Sequence, residues 1–307
     1  MKAAIYTSYG SPDVLTMTEI NKPIPKANEI LVKVYATTVT AGDIRLRASD
    51  FPRLAWLPAR LIFGLFKPRK QILGHEFSGV VEAIGEKVSL FSIGDEVMGT
   101  TTMLSRGSYA EYVCVPEVWK SGVVTAKPTN VSFQEAAALP VGAMTALFLL
   151  KKAQIDNTKK VLIYGASGSV GSYAVQLAHQ LGNSVTGVSS ARNVEMVKSL
   201  GADEVIDYKT QDYTALAKDY DIVFDAVGKT TKSAAKNILK KEGAFVSVKM
   251  LTKENLDDLL ELKEMVEEGK LSPFIDRSFP LEEIFRAHEY VDTGRKRGNV
   301  VIEVREL

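Results

Sequence analysis

The sequence predicts an α/β protein of two domains, in which a β-rich module is joined to a doubly wound parallel sheet. Three observations carry this prediction: the length of 307 residues, a change of pattern near residue 128, and a glycine-rich turn at 165–171. At about 150 residues per domain the length favours two domains. A 46% apolar composition is enough for two cores.

Short strands separated by turns dominate the first 128 residues. β-branched and aromatic residues bounded by glycine, proline or aspartate are typical of strands, and the clearest segments are 30–34, 79–85 and 109–115. Glycine recurs five times between residues 74 and 99, as the tight turns of a small barrel or curled sheet require. We therefore expect an all-β module.

From residue 129 onward, buried strands alternate with helical segments, as in a doubly wound parallel sheet. The apolar periodicity predicts strands at 161–164, 185–188, 204–206, 222–224 and 244–248. It predicts helices at 132–150, 170–181, 193–200 and 256–269. A last strand at 299–304 is expected to return to the first module.

Charge and cysteine content exclude several classes of protein. The 38 Lys and Arg residues balance 37 Asp and Glu residues, so no global field favours nucleic acid. The single cysteine, Cys114, cannot form an intramolecular disulfide or a four-cysteine zinc site, and it favours a reducing, cytoplasmic location. The longest apolar stretches, 54–66 and 136–150, are shorter than the ~20 residues of a membrane span, so we expect no integral membrane association.

The sharpest local signal is the turn 165–171, which follows a predicted strand and precedes a helix. Gly168 would let the backbone approach a pyrophosphate, Gly171 would let helix and strand pack closely, and the helix N-terminus would offer amides to the anion. Ala166 stands where the first glycine is usual. A purely structural turn is the alternative. The predicted cradle comprises Ala166, Ser167, Gly168, Ser169, Val170 and Gly171.

The end of the next strand indicates which dinucleotide binds. A fold that selects NAD usually carries a carboxylate about 20 residues after the glycines, bonded to the ribose 2′-hydroxyl. This chain has Ser189 and Ser190 there, followed by Arg192. Hydroxyls and a guanidinium suit a 2′-phosphate, so we expect NADPH rather than NADH. The alternative is that Arg192 only caps a solvent-exposed turn.

Motifs spread over nearly the whole chain carry a family resemblance. They are GHEFSGVV at 74–81, GDEV at 94–97, ALP at 138–140, LGAD at 200–203 and GNVV at 298–301. With the glycine turn, they resemble medium-chain dehydrogenase/reductases of the zinc-free quinone reductase group, which includes alcohol-dehydrogenase-like members. The resemblance implies a GroES-like catalytic domain at 1–126 and 272–307 around a Rossmann domain at 127–271.

The resemblance also implies cofactor contacts outside the glycine turn. Ser189 and Tyr208 match residues near the 2′-phosphate, and Thr145 matches one near the nicotinamide-side phosphate. Asn299 matches a residue that lies by the cofactor in similar proteins. Gly228 and Ser247 complete the predicted cofactor-binding set.

Two departures from zinc-dependent relatives predict that no metal is bound. Thr40 and Val141 stand where those relatives have cysteine ligands, although His75 and Glu76 remain. A catalytic zinc site needs three protein ligands in good geometry. The alternative role for His75 is that of a buried histidine hydrogen-bonded to Asp43.

Without a Lewis acid, quinones and enones are easier substrates than simple ketones, because hydride addition yields a delocalised anion. We expect a small-molecule substrate of this kind, or a related aldehyde. The candidate catalytic residues are Thr40, Asp43, Arg45 and His75, with a surface ion pair as the alternative for Arg45. The alternative functions are an NADPH-binding sensory or structural protein with little turnover, and an NAD(P)-dependent alcohol or aldehyde reductase.

Two further segments leave alternatives open. The apolar and basic stretch 51–70 is interpreted as a lid over the substrate, as a membrane-surface patch or as a plainly packed loop. The stretch 249–255 is shorter than in relatives, where an added edge strand pairs two subunits. Seven residues cannot hold that strand and two turns, so we expect a monomer or a weak homodimer.

Overall fold

A computed structural model describes residues 1–102 and 107–305 and divides the chain into two units. The first unit contains Met1–Val141, Asn255–Lys263 and Ile275–Leu307, and the second contains Gly142–Glu254 and Glu264–Phe274. Helical residues just after 128, which the sequence places in the second domain, pack in the first unit on Ala36 and Val301 through Phe133 and Ala137.

The described residues form fourteen strands and ten α-helices. The strands are β1 Lys2–Tyr6, β2 Leu15–Glu19, β3 Glu29–Thr38, β4 Glu76–Ile84, β5 Glu96–Thr100, β6 Tyr112–Pro116, β7 Val124–Ala126, β8 Lys160–Tyr164, β9 Ser184–Ser189, β10 Glu204–Asp207, β11 Tyr220–Asp225, β12 Leu239–Ser247, β13 Ile275–Pro280 and β14 Asn299–Glu303. The helices are α1 Ala41–Ala48, α2 Arg53–Phe63, α3 Phe133–Ala137, α4 Pro140–Lys152, α5 Ser169–Gln180, α6 Val194–Ser199, α7 Tyr213–Leu216, α8 Lys232–Ala235, α9 Leu256–Glu267 and α10 Ile284–Asp292.

The first unit is built on a seven-stranded sheet in the order β13-β14-β3-β4-β5-β7, with β6 also paired to β3. Its longest strand, β3, pairs antiparallel with β4, β6 and β14. β-branched residues such as Ile30, Val32 and Val81 fill the core between them. The return of the last strand to the first module is therefore confirmed.

The expectation of an all-β first module is wrong, because helices interrupt it. Helix α1 begins at a capping box in which Thr40 Oγ1 accepts from the amide of Asp43, and the Asp43 carboxylate accepts from the amide of Thr40. Helix α2 follows Pro52 and contains Pro58. The predicted strand at 109–115 is also shorter than expected, since β6 begins only at Tyr112.

The second unit contains a parallel sheet in the order β10-β9-β8-β11-β12, which confirms the doubly wound prediction. The strand order reverses between β8 and β11, and ligands bind such sheets at the carboxyl ends of the strands beside this reversal. β12 is an edge strand, and α9 follows it after a short connection. No added strand lies at this edge in the part of the chain that the structure describes.

Proline and local packing divide one of the predicted helices. The segment expected to be helical at 132–150 forms two helices, α3 and α4, with Pro140 at the first position of α4. Proline fits there because its missing amide would have no partner in the first turn. Over residues 1–102 and 107–305, no helix has the length and apolar character needed to cross a bilayer.

Candidate cofactor and substrate sites

The glycine turn of the second unit connects the end of β8 to the start of α5. Gly165 has a φ of +81°, and a Cβ there would lie 2.2 Å from a methyl group of Val227. A Cβ on Gly171 would lie 2.1 Å from the carbonyl oxygen of Gly165. Both positions therefore need glycine for the protein's own backbone and packing.

Gly168 differs from these two glycines because nothing in the protein crowds it. The nearest atom to a Cβ there would be the Gly165 carbonyl oxygen at 3.5 Å, an ordinary contact. Gly168 is also the N-cap of α5 and has no side chain to occupy the helix terminus. No side chain of the N-cap residue therefore occupies the start of α5, and the free amides of such a helix terminus favour an anion.

Asn193 joins two of the predicted cofactor residues. Its Nδ2 donates to Ser167 Oγ at 2.9 Å and to Ser190 Oγ at 3.3 Å. Its Oδ1 is buried and has no hydrogen-bond partner within residues 1–102 and 107–305. A ligand group that donates a hydrogen bond, such as a ribose hydroxyl, would satisfy this buried acceptor beside the glycine turn. The sequence analysis missed Asn193, although it directly follows Arg192.

The residues predicted near the 2′-phosphate gather at the ends of β9 and β10. Ser189 is buried, and its carbonyl oxygen accepts from the amide of Tyr208 at 3.1 Å. The Tyr208 side chain is half exposed, and its ring lies 6.5 Å from that of Tyr164. Arg192 is exposed on the short turn that follows β9. This group therefore combines a buried, hydrogen-bonded backbone at Ser189 with an exposed positive charge at Arg192.

Asp225 joins two more predicted cofactor residues and was itself missed. The carboxylate is fully buried at the end of β11 and accepts from the amides of Val227 and Gly228 at 3.1 and 2.8 Å. It also accepts from Ser247 Oγ at 3.0 Å and from the amide of Thr230 at 3.3 Å. The signal in the sequence that could have identified Asp225 is its place as a charged residue at the end of an apolar strand. Asp225 fixes the turn after β11 to the end of β12.

The other two predicted cofactor residues lie on α4 and β14. Thr145 is half-buried on α4 in the second unit. Asn299 is buried at the start of β14 in the first unit. Helix α4 packs closely against the start of α5, since a Cβ on Gly142 would lie 2.5 Å from the Ser169 hydroxyl oxygen.

The first unit contains a pocket with a volume of about 190 Å³. Its walls are formed by Tyr6, Asp43, Leu46, Ile62, Phe63, Arg69, Lys70, Ile72, Leu73, Gly74, His75, Thr102 and Gly107. Two predicted catalytic residues, Asp43 and His75, are therefore brought together. The end of the 51–70 segment supplies part of the wall through Ile62, Phe63, Arg69 and Lys70.

Asp43 is held rigidly at this pocket. Its Oδ2 accepts from the amide and hydroxyl of Thr40 at 2.9 and 2.5 Å, and its Oδ1 accepts from the amide of Gly74 at 2.9 Å. The carboxylate thus ties α1 to the chain before β4. His75 is half-buried, and its Nδ1 is buried.

Arg45 and Thr40 are predicted catalytic residues that do not line the pocket. Arg45 is exposed on α1, whereas Arg47, two positions later, is buried. Thr40 lies at the N-cap of the same helix and reaches the pocket through Asp43.

Two ionisable residues near β4 have shifted pKa values. Burial raises the pKa of Glu76 to about 7, although hydrogen bonds from the Thr38 hydroxyl and from the amide of Val141 at 2.7 Å oppose the rise. Burial lowers the pKa of Lys296 to about 8, against the neighbouring charges of Glu76 and Asp276. The sequence analysis missed Lys296, which donates to the carbonyl oxygen of Gly298 at 2.7 Å.

Glu76 and Thr40, which stand at positions of the zinc site in zinc-dependent relatives, have other hydrogen-bond partners. Glu76 uses its carboxylate oxygens for Thr38 and Val141, and Thr40 caps α1. Across residues 1–102 and 107–305, no group of three or more His, Cys, Asp and Glu side chains is placed to hold a metal ion.

Comparisons with known proteins cover both units. Residues 26–128 match the alcohol dehydrogenase GroES-like domain, and residues 169–272 and 247–302 match models described as zinc-binding dehydrogenase. The chain is 35% identical to a 2-methylene-furan-3-one reductase of Solanum lycopersicum, over 98% of this chain and 79% of that protein. It is 34% identical to a chloroplastic quinone-oxidoreductase homolog of Spinacia oleracea, over 99% and 98% of the two chains. A solved quinone oxidoreductase from Coxiella burnetii is 33% identical, with a TM-score of 0.89 and 99% coverage of both chains.

Proposed function

Because the chain belongs to the medium-chain dehydrogenase/reductase superfamily, in its quinone and enone oxidoreductase group, we propose that it transfers hydride from NADPH to a quinone, an enone or a related activated carbonyl without catalytic zinc. The observation that carries this proposal is the open N-terminus of α5 at Gly168, followed at the next strand end by two serines and an arginine in place of a carboxylate.

The second unit has the groups that NADPH would need. The amides of the first turn of α5 would bind the pyrophosphate, and Gly168 leaves room for it. Ser190 and Arg192 would bind the 2′-phosphate through a hydroxyl and a guanidinium, with the Ser190 side chain fixed by Asn193. When bound, NADPH supplies the hydride.

The first unit supplies the substrate pocket and the proton that the reduced substrate takes up. Hydride addition to an enone or quinone leaves a delocalised anion, which must take up one proton. We assign His75 as the proton donor because its half-buried imidazole lines the pocket. Asp43 is a positioning residue, since its hydrogen bonds to Thr40 and Gly74 fix the wall beside His75. We assign no chemical role to Arg45.

The donor set supports a reaction without zinc. Thr40 and Val141 replace soft ligands, and the carboxylate of Glu76 already accepts hydrogen bonds from Thr38 and from the amide of Val141. In place of a Lewis acid, the substrate itself would spread the developing charge. This favours quinones and enones over simple ketones.

Steady-state oxidation of NADPH with a panel of quinones and enones tests the proposed function. We expect a rate that depends on the acceptor and is higher with NADPH than with NADH. A protein that binds NADPH yet gives no acceptor-dependent rate would instead be a sensory or structural protein. Rates confined to simple ketones or aldehydes would identify an alcohol or aldehyde reductase.

The cysteine content indicates a location, and the edge of the parallel sheet indicates an assembly state. We propose a cytoplasmic protein because the chain has a single, buried cysteine, Cys114. We propose a monomer or weak homodimer because β12 forms an edge of the sheet and exposes Lys240, Lys241 and Glu242 there. Charged residues disfavour pairing of edge strands. Light scattering over a dilution series tests this, and a dimer that persists at nanomolar concentration would contradict it.

A further inference from the structure

Helix α2 and the chain after it, residues 53–70, form an exposed apolar surface that we call the basic apolar segment. Every residue of α2 is exposed or half-buried, although the helix is rich in leucine and carries a tryptophan. The exposed fraction is 98% for Leu54 and 89% for Phe66, and Trp56 and Leu57 are also exposed. Contiguous apolar surface of this kind marks an interaction site in a protein that is otherwise well packed.

The charge of this segment is one-sided. It contains Arg53, Arg60, Lys67, Arg69 and Lys70 and no aspartate or glutamate, although the whole chain has 38 basic and 37 acidic residues. The cations are therefore concentrated where the apolar residues are exposed. Apolar side chains flanked by arginine and lysine are characteristic of helices that lie in the interface of anionic membranes.

The segment is held in a defined position on the first unit. The Arg60 guanidinium lies 3.9 Å from the centre of the Tyr9 ring and donates to Ser49 Oγ at 3.1 Å. The Tyr9 hydroxyl donates to the carbonyl oxygen of Gly64 at 2.9 Å. The rings of Phe51 and Phe63 stack with centres 5.7 Å apart. These contacts fasten the base of the helix and leave its outer surface exposed.

We propose that the basic apolar segment docks this protein on an anionic lipid surface, with the apolar side chains of α2 inserted among the lipids and the basic residues at the phosphates. A second copy of the chain is a poorer occupant, because pairing two such surfaces would bring the cations of Arg53 and Lys67 on one copy towards the same cations on the other. A lipid surface provides the opposite charge and the apolar phase together.

The position of the segment connects docking to the substrate pocket. Ile62 and Phe63, at the end of α2, and Arg69 and Lys70 form part of the pocket wall. Resting on the proposed function, we infer that lipid-dissolved quinones or enones are the substrate class, since docking would bring this wall to the phase in which they dissolve.

Co-sedimentation with vesicles tests the docking directly. We expect the full-length protein to bind vesicles of phosphatidylcholine and phosphatidylglycerol, to bind pure phosphatidylcholine poorly, and to be released by salt. Arg53→Glu/Lys67→Glu should weaken binding to the anionic vesicles at least about tenfold, and Leu54→Ser/Trp56→Ser should weaken it by a similar factor because apolar insertion is lost.

Matched controls lie elsewhere on the first unit. Lys87→Glu reverses an exposed charge, and Ile24→Ser removes an apolar side chain that is 85% exposed, so both should bind vesicles as the wild type does. Arg53→Glu/Lys67→Glu should keep wild-type NADPH oxidation with a water-soluble quinone, because neither residue lines the pocket. Normal oxidation without vesicle binding by the wild type would refute docking and leave the proposed function intact.

Two other outcomes would also overturn the proposal. The first is equal binding to neutral and anionic vesicles. The second is a wild-type dimer in light scattering that Leu54→Ser/Trp56→Ser converts to a monomer, because the surface would then be covered by a second copy. Vesicle binding by a protein that oxidises no NADPH would leave docking standing and would refute the proposed function and its substrate class.

Discussion

Arg47 donates a hydrogen bond from Nη1 to Nδ1 of His288 over 3.1 Å, and both side chains are buried in the first unit. A guanidinium has only donors, so Nδ1 must be the acceptor and the proton of the neutral ring lies on Nε2. That nitrogen lies 3.2 Å from the hydroxyl of Tyr109, to which it donates. Arg47 is also paired with Asp292 at 2.7 Å.

This arrangement makes His288 sensitive to acid. Burial, and then the positive charge of Arg47, lower the pKa of His288 to about 3. The unfolded chain takes up this proton near pH 6.5 while the folded protein does not. The stabilisation from a neutral His288 is therefore complete above pH 6.5 and is lost as the pH falls from there towards 3, by about 2 kcal/mol at pH 5.

We expect His288→Gln to remove this dependence, because glutamine can accept from Arg47 and donate to Tyr109 without titrating. Urea unfolding at several pH values measures it. The raised pKa of Glu76 acts in the opposite sense, since the contribution of Glu76 to the free energy of unfolding grows as the pH falls from about 7 to 4.5. This contribution is the same in the wild type and in His288→Gln. The difference in stability between wild type and variant should shrink below pH 6.5, and a constant difference would contradict the account.

Gly168 and Gly171 form a matched pair for the phosphate cradle. Gly171→Ala should destabilise the fold by about 1–3 kcal/mol, because its Cβ would lie 2.1 Å from the carbonyl oxygen of Gly165. Gly168→Ala should cost about 1 kcal/mol or less and should weaken NADPH binding much more than stability. Urea unfolding and cofactor titration measure the two effects. Unchanged NADPH affinity in Gly168→Ala would mean that the turn is purely structural.

The choice of dinucleotide rests on Arg192. Arg192→Ala should lose a charge-assisted contact worth about 1.5–3 kcal/mol, which weakens NADPH roughly ten- to hundredfold and leaves NADH nearly unchanged. Lys198→Ala is the control, because Lys198 is exposed on α6 in the same unit. Calorimetry that gives equal dissociation constants for NADPH and NADH with the wild type would refute the preference.

Metal independence is tested on the purified protein. We expect no stoichiometric zinc in elemental analysis and no loss of NADPH-dependent quinone or enone reduction after treatment with a chelator. One zinc per chain would contradict metal independence. The zinc content of His75→Ala should then be compared with that of the wild type. Loss of the metal in this variant would identify His75 as a zinc ligand.

The sequence predicts features that depend on local pattern and misses those that depend on distant partners. The parallel sheet and the glycine turn follow from strand periodicity and from the spacing of Gly168 and Gly171. Asn193 and Asp225 are not predicted from the sequence, because their roles depend on contacts with residues far along the chain, Ser167 and Ser247. Helices α1 and α2 were missed because a single capping box and a proline-containing stretch give little helical periodicity.

The most direct test of hydride transfer follows the label from NADPH to the product. The protein is given NADPH carrying deuterium at C4 of the nicotinamide, in the 4R or the 4S position, together with an α,β-unsaturated ketone, and the product is examined by NMR. We expect one of the two labelled cofactors to place deuterium on the β-carbon of a saturated ketone, while the proton at the α-carbon comes from solvent. NADPH oxidation with no deuterium in the product from either cofactor, or no oxidation with any enone or quinone, would contradict the account.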